Sequence, residues 1–321
     1  MSARSNSHPS WPAVSKTTVH CYDFWDRVFR RAGVLDYTEG FYQGDATLSY
    51  EQAQQNQIRH LLDQVGCRGG SRILEIGCGN GTLLEGVRRR GAAGVGVTIS
   101  PQQVQYCRDR GLDVHLLDYR DIGEDWRGRF DAVVANGSIE HFVQPVDALE
   151  GRADAIYARF FEIAHRCIDP HSDSRRVINT TIHFDRVQIQ PQDAMRNPWS
   201  QPWFSDQFHF ALLVRGFGGY YPSPGQFERC AHPRFKLIDQ RDATYDCYLT
   251  SEAWLRHGKQ SLLSPKQWAR FLPFLVRHPR QAASMLFLLY VSQSWNWQFR
   301  VQRTEKPPMK HLWQTWDYQE I

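Results

Sequence analysis

The sequence predicts an α/β protein: a Rossmann-like, mostly parallel seven-stranded sheet with helices on both faces. Two observations carry this. From residue 71 onward, short apolar runs alternate with amphipathic stretches, an order that requires crossover connections and a sheet covered on both sides. The first run, SRILEIG, also enters a glycine-rich turn that leads directly into helix-forming sequence. Such a strand–turn–helix unit presents backbone amides and a positive helix end to a ligand.

The elements follow in order. Residues 1–18 are polar and proline-broken and read as a disordered tail; 19–34 (VHCYDFWDRVFRRAGV) space their apolar residues like a short amphipathic helix. LDYTEGFYQGD, at 35–45, is a glycine- and aromatic-rich loop. In TLSYEQAQQNQIRHLLDQVG, Ser49 is a plausible N-cap, and Ala53, Ile58, Leu61, Leu62 and Val65 form one helical face. GTLLEGVRRRG is a helix, AGVGVTI a strand and SPQQVQYCRDRG a helix; DVHLLD and RFDAVVAN are strands, DAIYARFFEIAHRCI a helix and RRVINTTIHF a fifth strand. Residues 185–224 are irregular, with prolines at 191, 198, 202, 222 and 224, and read as an inserted substrate cap over the strand ends. FKLIDQRD is a sixth strand, 251–295 is mostly helical, and WQFRVQRTEK is the expected closing strand. No linker divides the chain, so 19–321 is expected to be a single domain.

Composition narrows the function classes. The 321 residues are 41% hydrophobic and 22% charged with a net charge of +4, which suits a soluble globular protein rather than a nucleic-acid binder. Seven scattered cysteines contain no CxxC pair, arguing against a disulfide framework or zinc site and for a reducing compartment. The N-terminus lacks an apolar signal core, and the most apolar run, ASMLFLLYV at 283–291, is short of the ~20 residues that span a bilayer. A cytoplasmic location is expected. Eleven tryptophans lie largely outside the glycine-turn half, either as packing residues or as an aromatic pocket for an apolar substrate. Asp169, His171 and Asp173 flank Pro170 and read as a solvated turn, and no histidine spacing suits a metal.

The glycine turn reads Glu75-Ile76-Gly77-Cys78-Gly79-Asn80-Gly81. Its acid two residues before the first glycine departs from the dinucleotide GxGxxG. The second strand ends in Val97-Thr98-Ile99-Ser100 rather than in the acid that holds a ribose in NAD enzymes. A cofactor without a pyrophosphate but with a cationic amino-acid end fits both features, which favours S-adenosylmethionine.

The block GVTISPQQVQYCRDRGLDVHLLDYRDIGEDWRGRFDAVVANGSIEHF, with Tyr37-Thr38-Glu39-Gly40-Phe41-Tyr42 upstream and GGYYPSPGQFERC and ATYDCYLTSEAWLRH downstream, resembles the cyclopropane-fatty-acid synthase family, which includes the mycolic-acid methyltransferases. The resemblance covers about residues 35–305 and implies a class I S-adenosylmethionine-dependent methyltransferase. It implies that Tyr37 and Thr38 close over the methionine end, and that Gly77, Gly79 and Gly81 carry the cofactor backbone. Glu75 and Asn136 would line its site, Thr98, Ile99 and Gln103 would meet the ribose, and Asp118 and Tyr119 the adenine. The alternative for Asp118 is a helix cap.

For the chemistry, the family holds a bicarbonate with a Cys, a Glu, a His and a Tyr. Glu140 and Tyr245 match two of these; Glu39 stands at the position of the Cys, and Asn179 at that assigned to the His. A carboxylate at position 39 would repel bicarbonate, so Glu39 either replaces the anion or pairs within a loop. His141 is a candidate base or a packing residue. The implied reaction is methylation of an alkene or other electron-rich carbon in a lipid, terpenoid or secondary metabolite, through a carbocation quenched at an acidic site. N- or O-methylation of a small molecule is the alternative. Peripheral membrane contact and a homodimer are both compatible with the chain; nucleic acid and metal are not expected.

Overall fold

A computed structural model of the chain describes residues 38–265, 272–273, 275–277, 279–300 and 306–321. The expected tail, the helix at 19–34 and Tyr37 lie outside them.

The sheet has seven strands in the order β3-β2-β1-β4-β5-β7-β6: β1 Arg72–Ile76, β2 Ala93–Thr98, β3 Asp113–Leu116, β4 Ala132–Asn136, β5 Arg176–Phe184, β6 Phe235–Asp242 and β7 Met309–Tyr318. The first five are parallel, and β7 inserts antiparallel between β5 and β6. Strand order reverses between β1 and β4, so a crevice opens at their carboxyl ends, where such sheets bind ligands. Ile76, Thr98 and Asn136 end the three strands there.

Period-two alternation assigns the strand residues to two faces. Ile73, Val134 and Ile178 pack on one side against Ile58, Leu61 and Leu62 of helix α1 (Tyr50–Gln64). Leu74, Val133 and Val177 pack on the other against Tyr157, Phe160 and Phe161 of a helix spanning Ala153–Cys167. The α1 start is as expected: Ser49 accepts from Gln52 N, and Gln52 Oε1 accepts from Ser49 N at 2.9 Å, a capping box. Its five expected core residues are all buried.

Two features differ from the sequence reading. The closing strand is MKHLWQTWDY at Met309–Tyr318 rather than WQFRVQRTEK, because Trp297 ends a short helix, Ser294–Trp297. The later segment lies between β5 and β6 and is mostly buried, whereas residues 301–305 lie outside the described set. The 185–224 segment is less irregular than its prolines suggested, holding helices at Pro191–Met195 and Asp206–Phe217. Of the tryptophans, Trp297, Trp313 and Trp316 are buried packing residues, while Trp199 and Trp203 are exposed. No helix among the described residues is long and apolar enough to cross a membrane.

Candidate active site

Two rows of residues meet at the carboxyl ends of β1, β2 and β4. Among the residues lining a cavity of about 280 Å³ are Thr38, Glu39, Glu75, Gly77, Gly79, Thr98, Ile99, Gln103, Asp118, Tyr119, Asn136 and His141. The fold brings these expected residues together from five separate segments, beside others such as Ser138, Phe142 and Asp147 that the sequence did not single out.

Gly77 shows why the turn needs glycine. Its φ is +79°, and a Cβ there would lie 2.5 Å from the Ser138 Cβ, whose hydroxyl donates to the Ile76 carbonyl at 2.8 Å. Gly81 is different: it caps the next helix in a left-handed conformation and packs toward Leu112, so its part is to shape the turn rather than to line the cavity. Thr98 donates to Gln103 Oε1 at 2.6 Å, joining the end of β2 to the following helix (Pro101–Arg108), which Ser100 caps.

Asp118 lines the cavity and also caps. It accepts from Arg120 N at 2.9 Å and from the Arg120 guanidinium at 2.6 Å. The Tyr119 ring is buried and stacks on Phe142, with centroids 4.2 Å apart, so one of its faces is already covered.

The second row is a buried polar cluster around Glu39. Gln57 on α1 donates to Glu39 Oε2 at 3.1 Å and to Asn136 Oδ1 at 3.3 Å. Thr180 donates to Asn136 Oδ1 and accepts from Gly137 N, both at 2.8 Å. His311 Nε2 lies 3.4 Å from Glu39 Oε1. Burial pushes the Glu39 carboxyl up, but His311, the local backbone and Gln57 outweigh it and hold it below the usual glutamate value. Glu140 goes the other way: burial, then the Glu39 charge, push it well above the usual range, and its Oε2 has no hydrogen-bonding partner among the described residues. Their surroundings thus push the two carboxyls in opposite directions, Glu39 toward the carboxylate and Glu140 toward the acid. Burial lowers His141 to about 4, so its ring is neutral at physiological pH.

Two expected site residues fall elsewhere. Tyr245 opens helix α2 (Thr244–Leu263) and is 52% exposed. The face of α2 turned to the site carries Asp246 and Thr250, which accept from Tyr42 N at 2.7 Å and from Gly40 N at 2.9 Å. Asn179 is buried but committed: it accepts from Trp316 Nε1 at 2.7 Å and donates to Thr181 at 3.0 Å. Alternation puts Asn179 on the sheet face opposite the Glu39 cluster, and Thr180, one residue on, supplies the site-facing side chain.

Sequence reading missed Gln57, His311 and Cys247. Gln57 had a signal, since it sits four residues from both Ala53 and Leu61 on the buried face. His311 stands beside Ile182 across the β5–β7 ladder, a pairing no local pattern discloses.

Glu39, Cys247 and His311 place three ligand-type atoms within 4.8 Å of one another. The hydrogen bonding does not suit a metal. Trp313 Nε1, a donor only, points at His311 Nδ1 over 3.2 Å. That nitrogen must therefore be the acceptor, and the ring hydrogen sits on Nε2. Nε2 then has no lone pair for an ion, and burial keeps the Cys247 thiol protonated.

A glycine turn at a topological switch point, with a Thr–Gln pair in place of a ribose-binding acid, defines a class I S-adenosylmethionine-dependent methyltransferase fold. The comparisons with known proteins identify the family. Residues 10–261 match the mycolic acid cyclopropane synthetase family, and the chain belongs to it. A probable fatty acid methyltransferase of Pseudomonas putida is 40% identical over 110 residues, 32% of this chain and 27% of the relative. The cyclopropane-fatty-acyl-phospholipid synthase of Escherichia coli K12 is 26% identical over 240 residues, 73% of this chain and 54% of the relative. The chain thus spans between about a quarter and a half of these curated relatives. A cyclopropane synthase structure from Mycobacterium tuberculosis superposes with a TM-score of 0.66 at 18% identity, covering 96% of this chain and 99% of that one. A geranyl diphosphate C-methyltransferase structure from Streptomyces coelicolor gives 0.60 at 16% identity, covering 96% and 100%. These likenesses are of fold.

Proposed function

We infer that the chain methylates an electron-rich alkene carbon of a hydrophobic, lipid-like acceptor, with Glu39 as the group that takes the released proton. The observation that carries this reading is the buried Glu39 carboxyl, which lines the same cavity as Gly77, Gly79 and Thr98 and lies 3.1 Å from the Gln57 amide and 3.4 Å from His311.

S-adenosylmethionine fits the cavity's donors: Gly77 and Gly79 leave the backbone open, Glu75 offers an acid for an ammonium group, and Thr98 and Gln103 lie where a ribose would rest. When bound, it would supply an electrophilic methyl group, its C–S electron pair staying with sulfur as the alkene π pair forms the new C–C bond, and a carbocation would remain on the acceptor. A C–H bond of the new methyl group or of the carbon next to the cation then breaks. Its electron pair closes a ring or forms a new double bond, and the proton goes to a Glu39 oxygen. A buried carboxylate also steadies the cation in a low-dielectric site. Glu140, protonated, adds no second negative charge there. The fatty-acyl and mycolic acid descriptions of the relatives support a lipid acceptor.

The test is mass spectrometry of hydrophobic extracts incubated with CD3-labelled cofactor. Wild type is expected to give a carbon-methylated or cyclopropanated lipid, and Glu39→Gln to lower the rate at least ~100-fold, as for loss of a general base. A wild-type rate in Glu39→Gln overturns the role of Glu39. A labelled ether or amine in place of a C–CD3 product overturns the carbon acceptor.

A further inference from the structure

We propose that His311 is a positioning residue for Glu39, and that Trp313 fixes the ring form in which it acts. This rests on the reading of Glu39 as the proton acceptor, but its geometry is independent of which acceptor is methylated.

His311 and Trp313 are two residues apart on β7 and so share a face. They pair with Ile182 and Thr180 of β5, and Thr180 is the residue that reaches Asn136 and Gly137. The His311 ring is fully buried. Its backbone N–H donates to Thr244 Oγ1 at 3.0 Å and its carbonyl accepts from Ala243 N at 2.9 Å, so the ring has little freedom to turn.

Trp313 donates to Nδ1, which leaves the hydrogen on Nε2; that nitrogen lies 3.4 Å from Glu39 Oε1, out of line for a hydrogen bond, and has no other partner among the described residues, so Glu39 is its nearest charged neighbour. Gln57 meanwhile holds Oε2. The two oxygens thus meet different elements, one β7 and one α1. At Gly137 a Cβ would lie 3.4 Å from Oε1, so glycine leaves that oxygen open toward the cavity.

The same arrangement rules out a relay. A proton passed from Glu39 to the imidazole would place an Nδ1–H against the Trp313 N–H, two donors facing each other in a buried site. His311 is therefore placed to steady the carboxylate rather than to carry its proton, which stays on Glu39. Other titratable groups face this site: Glu140 and His141 after β4, and Asp246 and Cys247 on α2; His183 on β5 lies on the opposite face of the sheet, against Phe227.

The experiment is nuclear magnetic resonance on full-length protein with S-adenosylhomocysteine. Nitrogen-15 histidine shifts report the His311 tautomer, and the Glu39 carboxyl carbon, assigned with Glu39→Gln, reports its titration. Wild type is expected to show a neutral Nε2–H ring. In His311→Phe the Glu39 midpoint is expected to rise by about one unit, a tenfold change in proton affinity, and His311→Gln, whose amide can donate, to restore part of it. Cofactor affinity by calorimetry is expected to stay within about threefold, showing that the variants fold. An Nδ1–H or cationic ring, or an unchanged Glu39 titration in His311→Phe, overturns the proposal. If the titration responds but wild type forms no C-methyl product, the positioning role stands and the proposed reaction fails.

Discussion

Glu39 and Glu140 are buried neighbours that ionise in opposite directions. Glu39 accepts from Gln57 at 3.1 Å and faces His311 at 3.4 Å, so its charge is compensated. Glu140 has a buried oxygen with no partner and feels the Glu39 charge. Two carboxyls in one dry site resolve their repulsion by sharing one negative charge, and the surrounding donors decide which of them carries it.

That division has a pH signature. The folded-state pKa of Glu140 is raised, so folding stability falls as pH climbs from its unfolded value near 4.3 toward the folded value. Glu140→Gln removes the effect. Its melting temperature is expected to exceed wild type by about 3 °C at pH 7, on the order of 1 kcal/mol, with the gap closing toward pH 4. An equal gap at both pH values would contradict a protonated Glu140.

Gly77→Ala forces an L side chain into φ +79° and a Cβ to 2.5 Å from Ser138. The turn must shift. We expect at least tenfold weaker cofactor binding by calorimetry and a stability loss of about 2 kcal/mol.

Thr98→Val keeps the shape of the side chain but removes the donor to Gln103 Oε1, a 2.6 Å bond inside the protein. Leaving that acceptor unsatisfied is expected to cost about 1–2 kcal/mol in denaturant unfolding, with cofactor affinity falling several-fold. Gln103→Leu made together with Thr98→Val is expected to recover part of the stability but not the affinity.

Tyr245→Phe tests the corrected placement. With Tyr245 half exposed and outside the cavity lining, its loss of a hydroxyl is expected to change turnover less than about twofold, in the range of ordinary surface substitutions. A tenfold drop would return Tyr245 to the site. Asp246→Ala, by contrast, frees Tyr42 N and Gln43 N and is expected to loosen the loop that carries Glu39.

The glycine turn, the strand after it and the Ser49 cap were legible because each depends on neighbours in sequence. Positive φ at Gly77, the Thr98–Gln103 spacing and the buried face of α1 are local properties of a few consecutive residues. The Asn179 assignment failed for a physical reason: a strand's period is two, so a register one residue off turns a side chain to the other face. Tyr245 failed in the same way on a helix, where its neighbours Asp246 and Cys247 take the inward direction.

The sequence by itself determined six of the seven strands, the cofactor turn and the identity of the acid at position 39, since local periodicity and backbone geometry are written in adjacent residues. Only the tertiary structure decided what state that acid is in. Glu39 meets Gln57 from α1, Glu140 from the turn after β4, Cys247 from α2 and His311 from β7, groups as far as 272 residues away along the chain. Ionisation in a buried site is a sum over everything within a few ångströms, and that sum exists only once the antiparallel insertion of β7 has brought its histidine beside the crevice.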